Sequence, residues 1–372
     1  MGERREKIMF ALEKSRFRGT GIVALSAGVL LSLAACGGST STTSSAAPSV
    51  APPAPAPAAS SAPASEAPKE LRPVTVLMDW FPNPDHVSLY VTKAKGYFEE
   101  MGLDVTLQPP SDPTDAPKLV SLGDVELGIS YEPEMFFSAQ AGLKLKAVAA
   151  LIPTSLSSVI WLKDSPVKSL ADLGGQTVGD AGLPTDNAFW SAIFAANNVD
   201  PESVDVVTLK TSLNQGLISG KVAAVVGAYG NIEGVQLAEE GLGPVITRVT
   251  DAGVPNYDEL VIIANSDRLA SDTEYQQVVR DFLAALAKGT ADAIADPAFA
   301  EATMSGLSED YSGPSLTAMI KATLPLLENP AGFGQMDATE WDSFGAFLKA
   351  EKLIDTVAPA ADIMTTEFLP AP

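Results

Sequence analysis

The chain has 372 residues, with 46 acidic and 24 basic side chains, a net charge of −22, one cysteine and one histidine. This length allows two domains that each bury a core, and the acidic excess argues against a nucleic-acid partner and against electrostatic binding to an anionic membrane. One cysteine excludes disulfides within the chain, zinc fingers and iron–sulfur clusters, and one histidine, His86, excludes a multi-histidine metal site.

The first 35 residues are typical of an export signal peptide. Basic side chains precede an apolar run of 15 residues, 21–35, which is shorter than the ~20 residues that a membrane-spanning helix needs. The run ends in Leu-Ala-Ala before Cys36, a pattern that resembles the lipobox of bacterial lipoproteins. The alternative is an uncleaved signal anchor. We therefore expect a lipidated Cys36 that anchors the chain, through lipid alone, on the outer face of the cytoplasmic membrane.

Residues 36–70 form a low-complexity linker that is rich in Gly, Ser and Thr at first and then in Ala and Pro. The linker has too little apolar surface to fold, and its prolines favour the extended polyproline II conformation. At ~3.1 Å per residue it would reach roughly 100 Å when fully extended. It therefore predicts a globular part held away from the membrane.

Strand-like and helix-like patterns alternate after the linker. Apolar, β-branched runs at 74–78, 103–107 and 125–129 are interspersed with helical spacing, as in residues 87–96. This alternation is typical of an α/β fold with a mainly parallel sheet.

A weak internal repeat relates residues 119–128 to residues 217–227. Each segment has the pattern of a helix end, a glycine cap and a buried strand that ends in glycine. A common turn that recurs by chance is the alternative to two similar α/β lobes. Two lobes, an export signal and a lipid anchor together indicate a solute-binding protein outside the cytoplasm, whose lobes close around a ligand.

Several segments resemble the NMT1/THI5-like solute-binding proteins. The most specific are residues 79–86 (DWFPNPDH) and the NIEGVQ sequence of residues 231–236. The matching segments, in chain order, are residues 79–86, 96–98, 102–105, 128–131, 170–179, 228–236 and 257–260.

The resemblance implies the type II periplasmic-binding-protein fold, an ABC permease as partner and, in one branch, a pyrimidine precursor of thiamin as ligand. It also implies one lobe from residues 72–163 plus 265–372 and a second from residues 164–264. The crossings between lobes would lie near residues 159–163 and 260–265.

An aminopyrimidine is flat and carries both hydrogen-bond donors and acceptors, so it requires aromatic faces and in-plane polar groups. Residues after the strand-like runs supply both, where open α/β sheets bind ligands. The predicted ligand-binding residues are Trp80, Asn83, His86, Tyr131, Tyr229, Asn231, Glu233, Tyr257 and Glu259. Three have plain structural alternatives: Trp80 in the core, Glu233 on a solvated helix face, and His86 as a residue that shapes its loop.

The scarcity of arginine favours a neutral or weakly basic ligand. Only four arginines follow the export signal, and none lies in a matched loop. A sulfonate would call for arginine forks or free backbone amides, such as those near residues 182–186. Riboflavin, a sulfonate or an aromatic amine in the same fold is the second hypothesis.

The third hypothesis is an enzyme, because the family also contains a thiamin pyrimidine synthase that uses a histidine and a lysine-bound pyridoxal phosphate. Here the position that matches the lysine is Ser130, and the matching cysteine cluster is absent near residues 257–264. Serine cannot form a Schiff base. We therefore expect a binding protein without a cofactor or metal.

Overall fold

The computed structural model describes residues 70–371 except 113 and 310, so Cys36, the export signal and nearly all of the linker lie outside the described residues. Within that described part, no helix combines the length and apolar character that a membrane crossing requires. The strands are β1 (Arg72–Leu77), β2 (Leu103–Gln108), β3 (Leu127–Ser130), β4 (Leu145–Ile152), β5 (Ser157–Leu162), β6 (Thr177–Asp180), β7 (Asp205–Thr208), β8 (Ala224–Tyr229), β9 (Pro244–Arg248) and β10 (Leu260–Asn265).

Helices connect the strands and follow them at the C-terminal end. They are α1 (Val87–Ala94), α2 (Tyr97–Glu100), α3 (Asp115–Leu122), α4 (Glu132–Gln140), α5 (Asp186–Ala196), α6 (Leu213–Ile218), α7 (Glu233–Glu239), α8 (Val249–Ala252), α9 (Ser266–Ser271), α10 (Thr273–Ala295), α11 (Pro297–Met304), α12 (Gly313–Thr323), α13 (Ala338–Ala350) and α14 (Ala360–Ile363). Short 3-10 helices occupy Pro84–His86, Leu170–Leu173, Pro201–Ser203 and Leu324–Leu327.

The strands form two five-stranded sheets of matching order, β2-β1-β3-β10-β4 and β7-β6-β8-β5-β9. This mixed α/β architecture confirms the predicted fold class. Half of the strand pairs in each sheet are antiparallel, more than the mainly parallel pattern predicts. The reason is that β10 and β5 each enter their sheet from the other sheet and run against their neighbours.

The chain passes between the sheets through two segments, residues 153–156 and residues 253–259, which we call the crossing segments. The crossings were expected near residues 159–163 and 260–265. In the structure these residues belong to β5 and β10 instead, with residue 163 just after β5. These strands are buried and apolar, and each is paired on both sides in the sheet that it enters.

The internal repeat corresponds to equivalent elements of the two sheets. Helix α3 leads into β3 and α6 leads into β8, and these two strands hold the central position of their sheets. Gly123 (φ 79°) and Gly220 (φ 69°) follow the two helices in the left-handed conformation that favours glycine. The repeat therefore reflects two similarly built halves.

The helices after β10 pack largely on the first sheet. The long helix α10 buries one face, which includes Val279, Phe282 and Leu286. Helix α12 contacts both the 3-10 helix Pro84–His86, which follows β1, and α7, which follows β8. It therefore connects elements of both sheets.

Candidate functional site

The ends of β1, β3 and β8 meet the crossing segments in a region that we call the cleft, defined by Asp79, Tyr131, Tyr229 and Glu259. The Tyr131 hydroxyl donates to Asp79 Oδ2 at 2.7 Å, and the Tyr229 hydroxyl donates to Glu259 Oε1 at 2.9 Å. Burial raises the pKa of both tyrosines well above the usual range, and the neighbouring carboxylates raise it further. The tyrosines therefore remain neutral donors at physiological pH.

His86 is fully buried and belongs to the framework of the first loop. The Asn83 backbone N–H donates to His86 Nδ1 at 3.3 Å, so the ring proton lies on Nε2, which donates to Asp79 Oδ1 at 2.8 Å. Burial raises the pKa of Asp79, but its interactions with His86 and Tyr131 outweigh burial and lower the pKa overall. Asp79 is therefore ionised and bonded through both oxygens.

Asn83 caps the start of the 3-10 helix that follows it. Its Oδ1 accepts a hydrogen bond from the Asp85 backbone N–H at 2.8 Å, and the residue is 8% exposed. This cap and the two bonds of His86 give the loop a fixed shape. Ligand contact by Asn83 or His86 stays a prediction, and the visible role of both is to shape the loop.

Glu259 joins the two crossing segments. Its Oε2 accepts hydrogen bonds from the backbone N–H groups of Leu156 at 2.8 Å and Ser157 at 3.3 Å, while Oε1 accepts from Tyr229. Burial raises the pKa of Glu259, and these hydrogen bonds oppose the rise. The carboxylate thus ties the second crossing segment to the first and to the end of β8.

Tyr257 lies in the core, with 2% of its surface exposed. Its ring centroid is 4.9 Å from that of Phe344 and 5.8 Å from that of Phe189. Its hydroxyl shares hydrogen bonds with Ser155 and Glu259. The ring of Tyr257 is therefore buried against two aromatic rings while its hydroxyl contacts Glu259, and ligand contact by Tyr257 stays a prediction.

Glu233 begins α7 directly below the end of β8. Its Oε2 accepts a hydrogen bond from the Tyr229 backbone N–H at 2.8 Å, and the side chain is partly exposed. Burial raises the pKa of the Glu233 carboxyl. The residue therefore lies at the edge of the cleft, bonded to the strand rather than on a fully solvated helix face.

Asn231 makes the contact that joins the two sheets' loops. Its Nδ2 donates to Asp85 Oδ1 at 2.6 Å and to Thr323 Oγ1 at 2.8 Å, and its Oδ1 has no partner among the described residues. All three residues are buried. We call this set of Asp85, Asn231 and Thr323 the clasp, because it links the loop after β8 to the loop after β1 and to α12.

Trp80 lies on the surface beside the cleft and not in the core. It is 38% exposed and packs edge-to-face on Phe81, itself 58% exposed, with ring centroids 6.1 Å apart. An exposed aromatic pair next to a hydrogen-bonding cleft offers a free face for a flat ligand.

Two carboxylates that were not among the predicted site residues lie at the end of β6 and at the start of α5, in the second sheet's half. Asp180 and Asp186 are buried, and each has an Oδ1 without a partner in the described residues. Burial raises the pKa of Asp186 to about 6, although the backbone N–H groups of Leu183, Gly182 and Ala181 bond to it. The only sign of this pair in the sequence is the position of Asp180 at the end of a strand. Because many residues that end strands belong to no site, this position alone does not identify a site residue.

The amides near residues 182–186 are therefore already occupied by a carboxylate of the chain. Leu183 N–H donates to Asp186 Oδ2 at 2.8 Å. Arg72, Arg268 and Arg280 bond to Asp281, Asp272 and the Glu367 carbonyl. Arg248 is exposed and reaches the Thr154 hydroxyl of the first crossing segment at 3.5 Å, and it bonds to none of the four residues that define the cleft. The cleft consequently presents hydroxyls and carboxylates rather than anion-binding groups.

Comparisons with known proteins identify the relatives of this chain. The family model described as NMT1/THI5 like matches residues 83–300. A formylaminopyrimidine-binding protein of Halalkalibacterium halodurans is 33% identical over 301 residues, which cover 80% of this chain and 90% of the relative. A putative thiamine biosynthesis protein of Haemophilus influenzae is 33% identical over 282 residues, which cover 76% of this chain and 88% of the relative. A 4-amino-5-hydroxymethyl-2-methylpyrimidine phosphate synthase of Saccharomyces cerevisiae is 27% identical over 238 residues, with 60% and 68% covered.

Solved structures share the fold. The alkanesulfonate-binding protein SsuA of Xanthomonas axonopodis, bound to MOPS, superposes with a TM-score of 0.61 at 15% identity, covering 80% of this chain and 99% of that one. The periplasmic aliphatic sulphonate binding protein SsuA of Escherichia coli gives a TM-score of 0.62 at 13% identity, with 78% and 96% covered. At these identities the likeness concerns the fold alone.

Proposed function

Since the chain belongs to the NMT1/THI5-like family and has the fold of the SsuA-type binding proteins, we propose that it binds a pyrimidine precursor of thiamin between two lobes and passes it to an ABC permease. The 33% identity with a formylaminopyrimidine-binding protein supports this ligand class. The observation that carries the proposal is the pairing of tyrosines with carboxylates, Tyr131 with Asp79 and Tyr229 with Glu259, where both sheets meet.

The chemistry of the cleft fits an aminopyrimidine. Its exocyclic amino group donates hydrogen bonds, which the carboxylate and tyrosine hydroxyl oxygens can accept. Its ring nitrogens accept hydrogen bonds, and a tyrosine hydroxyl can supply one if it turns from its carboxylate to the ligand. The exposed face of Trp80 supplies a stacking surface at the rim. This lining favours a neutral or weakly basic ligand. A sulfonate would face the carboxylates of Asp79 and Glu259, and no arginine within the described part of the chain forms an ion pair with either.

A binding role fits these residues better than catalysis by the synthase chemistry of the yeast relative. Ser130, at the end of β3, is 2% exposed and carries no amine for a Schiff base. His86 is held through both ring nitrogens. Ser130 therefore offers no amine, and His86 no free ring nitrogen, for such chemistry.

Attachment to the membrane belongs to the same proposal. A lipidated Cys36 followed by the linker of residues 36–70 would hold the binding domain outside the cytoplasm, near the permease. Mass spectrometry of the N-terminal peptide tests this part separately from ligand binding.

A thermal-shift panel tests the ligand. We would compare formylaminopyrimidine, hydroxymethylpyrimidine, thiamin, riboflavin and taurine. A ligand at 100 times its dissociation constant adds about 2.7 kcal/mol to the free energy of unfolding, which raises Tm by several degrees. We expect a shift with a pyrimidine and none with taurine; a response to riboflavin or taurine alone would replace the ligand and keep the binding role.

A further inference from the structure

Three carboxylates from distant parts of the chain converge behind the cleft. Glu132 begins α4, Asp258 lies in the second crossing segment, and Glu340 lies in the first turn of α13. One oxygen of each lies within 4.8 Å of an oxygen of each of the other two. Glu132 and Asp258 are 0% and 3% exposed, and Glu340 is partly buried.

Each carboxylate is held by one protein donor. The Asp258 backbone N–H donates to Glu132 Oε2 at 2.8 Å, Trp341 Nε1 donates to Asp258 Oδ2 at 2.8 Å, and Asn256 Nδ2 donates to Glu340 Oε2 at 2.7 Å. Donors that hold one oxygen and leave the other for a ligand are how proteins orient the carboxylates of metal sites.

The cluster lacks a compensating positive charge. Glu132 Oε1 is buried and accepts no hydrogen bond from any described residue. Within residues 70–371, apart from the two omitted positions, no lysine, arginine or histidine forms an ion pair with these carboxylates. Burying an ionised carboxylate without a partner costs several kcal/mol. Burial, with the charges of Asp258 and Glu340, raises the pKa of Glu132 well above its usual range.

We propose that Glu132, Asp258 and Glu340 bind one divalent cation of the oxygen-preferring class, with Ca²⁺ as the best fit. The cluster offers only oxygen atoms as ligands, which hard cations prefer and soft metals do not. Two oxygens on one Ca²⁺, at 2.3–2.6 Å each, lie at most about 5 Å apart, whereas the shorter bonds of Mg²⁺ limit them to about 4 Å. The oxygen separations in the cluster, all within 4.8 Å, fit Ca²⁺ without any movement of the chain, and Mg²⁺ fits only if they close to about 4 Å, so the two cations are compared in the experiment.

The cation would act on the cleft through the chain. Glu132 follows Tyr131 and Asp258 precedes Glu259, so one ion would hold the two segments that carry half of the cleft. Its test needs no pyrimidine, so its failure and a failure of the proposed function are distinguishable.

The experiment uses the full chain, freed of metal by chelation, with CaCl₂ or MgCl₂ as the only addition. Tm is followed with increasing cation, and Tb³⁺ luminescence, sensitised by the adjacent Trp341, reports occupancy. Glu132→Gln and Glu340→Gln are the test variants, and Glu134→Gln, also on α4 but outside the cluster, is the matched control.

We expect Ca²⁺ at about 100 times its dissociation constant to raise Tm by several degrees in the wild type and in Glu134→Gln. Both test variants should bind at least tenfold more weakly and lose the Tb³⁺ signal. An equal shift in the test variants, or no shift with any cation in the wild type, overturns the proposal. If no cation shifts the Tm of the wild type and metal-free Glu132→Gln has a higher Tm than the wild type, the carboxyls share protons instead of a cation.

Discussion

Asp79 shows how one buried carboxylate can hold two side chains of the cleft region in place. It accepts one hydrogen bond from the buried His86 and one from Tyr131, so the imidazole fixes the carboxylate and the carboxylate fixes the phenol. The loop is therefore rigid on its inner side, and its outer side presents Trp80 to solvent.

At the scale of single residues, Trp80→Ala is expected to weaken pyrimidine binding by about 10- to 100-fold, because a stacked indole face is lost. Stability should change by less than about 1 kcal/mol, since Trp80 is 38% exposed. Calorimetric titration and urea unfolding measure the two effects. Leu122→Ala, another exposed apolar residue, should alter neither, and a Trp80→Ala variant with unchanged affinity would remove this residue from the site.

The sequence could predict the location of a side chain where a strand end places it directly, although ligand contact at these positions stays a prediction. Tyr131 and Tyr229 end or follow β3 and β8, and the structure brings both to the cleft with Glu259. The sequence could not predict the packing of Tyr257, because its ring contacts Phe189 and residue 344, which lies in the distant helix α13. Local spacing carries no information on such long-range packing.

At the scale of elements, the clasp joins three segments that sequence patterns treat separately. Asn231 reaches Asp85, 146 positions away, and Thr323, 92 positions away. Breaking it would leave a buried carboxylate oxygen without its donor, at a cost of about 1–3 kcal/mol.

Asn231→Ala is therefore expected to lower the free energy of unfolding by about 1–3 kcal/mol and to raise the dissociation rate of a bound pyrimidine about tenfold. Stopped-flow displacement measures the rate. Asn214→Ala is the matched control. The Asn214 side chain, on α6, donates to Gln236 on α7, so its hydrogen bond does not join the loops of the two sheets. The control should lose stability without a change in the dissociation rate; the same rate in Asn231→Ala and the wild type would contradict the assigned role.

The elements themselves were largely predictable. Helix–glycine–strand units were read from the repeat, and Gly123 and Gly220 indeed end helices in the left-handed conformation. The antiparallel entry of β5 and β10 was not predictable, because a buried apolar strand has the same pattern in either direction. The acidic cluster behind the cleft was missed for a similar reason, since its three members come from residues 132, 258 and 340.

At the scale of the whole molecule, buried carboxyls make stability depend on pH. Burial raises the pKa of Asp85 from 3.8 to about 7, with the hydrogen bond from Asn231 and the attraction of His86 opposing the rise and the charges of Asp79 and Glu233 adding to it. The folded state thus holds this proton to a higher pH than the unfolded state does. Its stabilising contribution is complete below pH 3.8 and is lost as pH rises towards 7.

Asp85→Asn keeps an acceptor for Asn231 but cannot titrate. We expect the fall in the free energy of unfolding between about pH 4 and 7 to become shallower in this variant, by at most about 1.4 kcal/mol per pH unit. Urea unfolding at several pH values, followed by tryptophan fluorescence, provides the measurement. Parallel curves for variant and wild type would mean that Asp85 does not take up a proton in this range.

The position of β10 between β3 and β4 also governs when the first sheet can form. Val261 pairs with Ser130, so closing that contact spans 131 residues, and β3 and β4 have no direct pairing to hold them together beforehand. Long-range pairing of this kind is slow, because the entropy of a long loop is lost before any contact compensates it. In a chain that emerges from an export channel N-terminus first, the first sheet stays divided until residues 260–265 have crossed. In the proposed export, this topology would therefore delay completion of the first sheet until most of the chain has crossed the membrane.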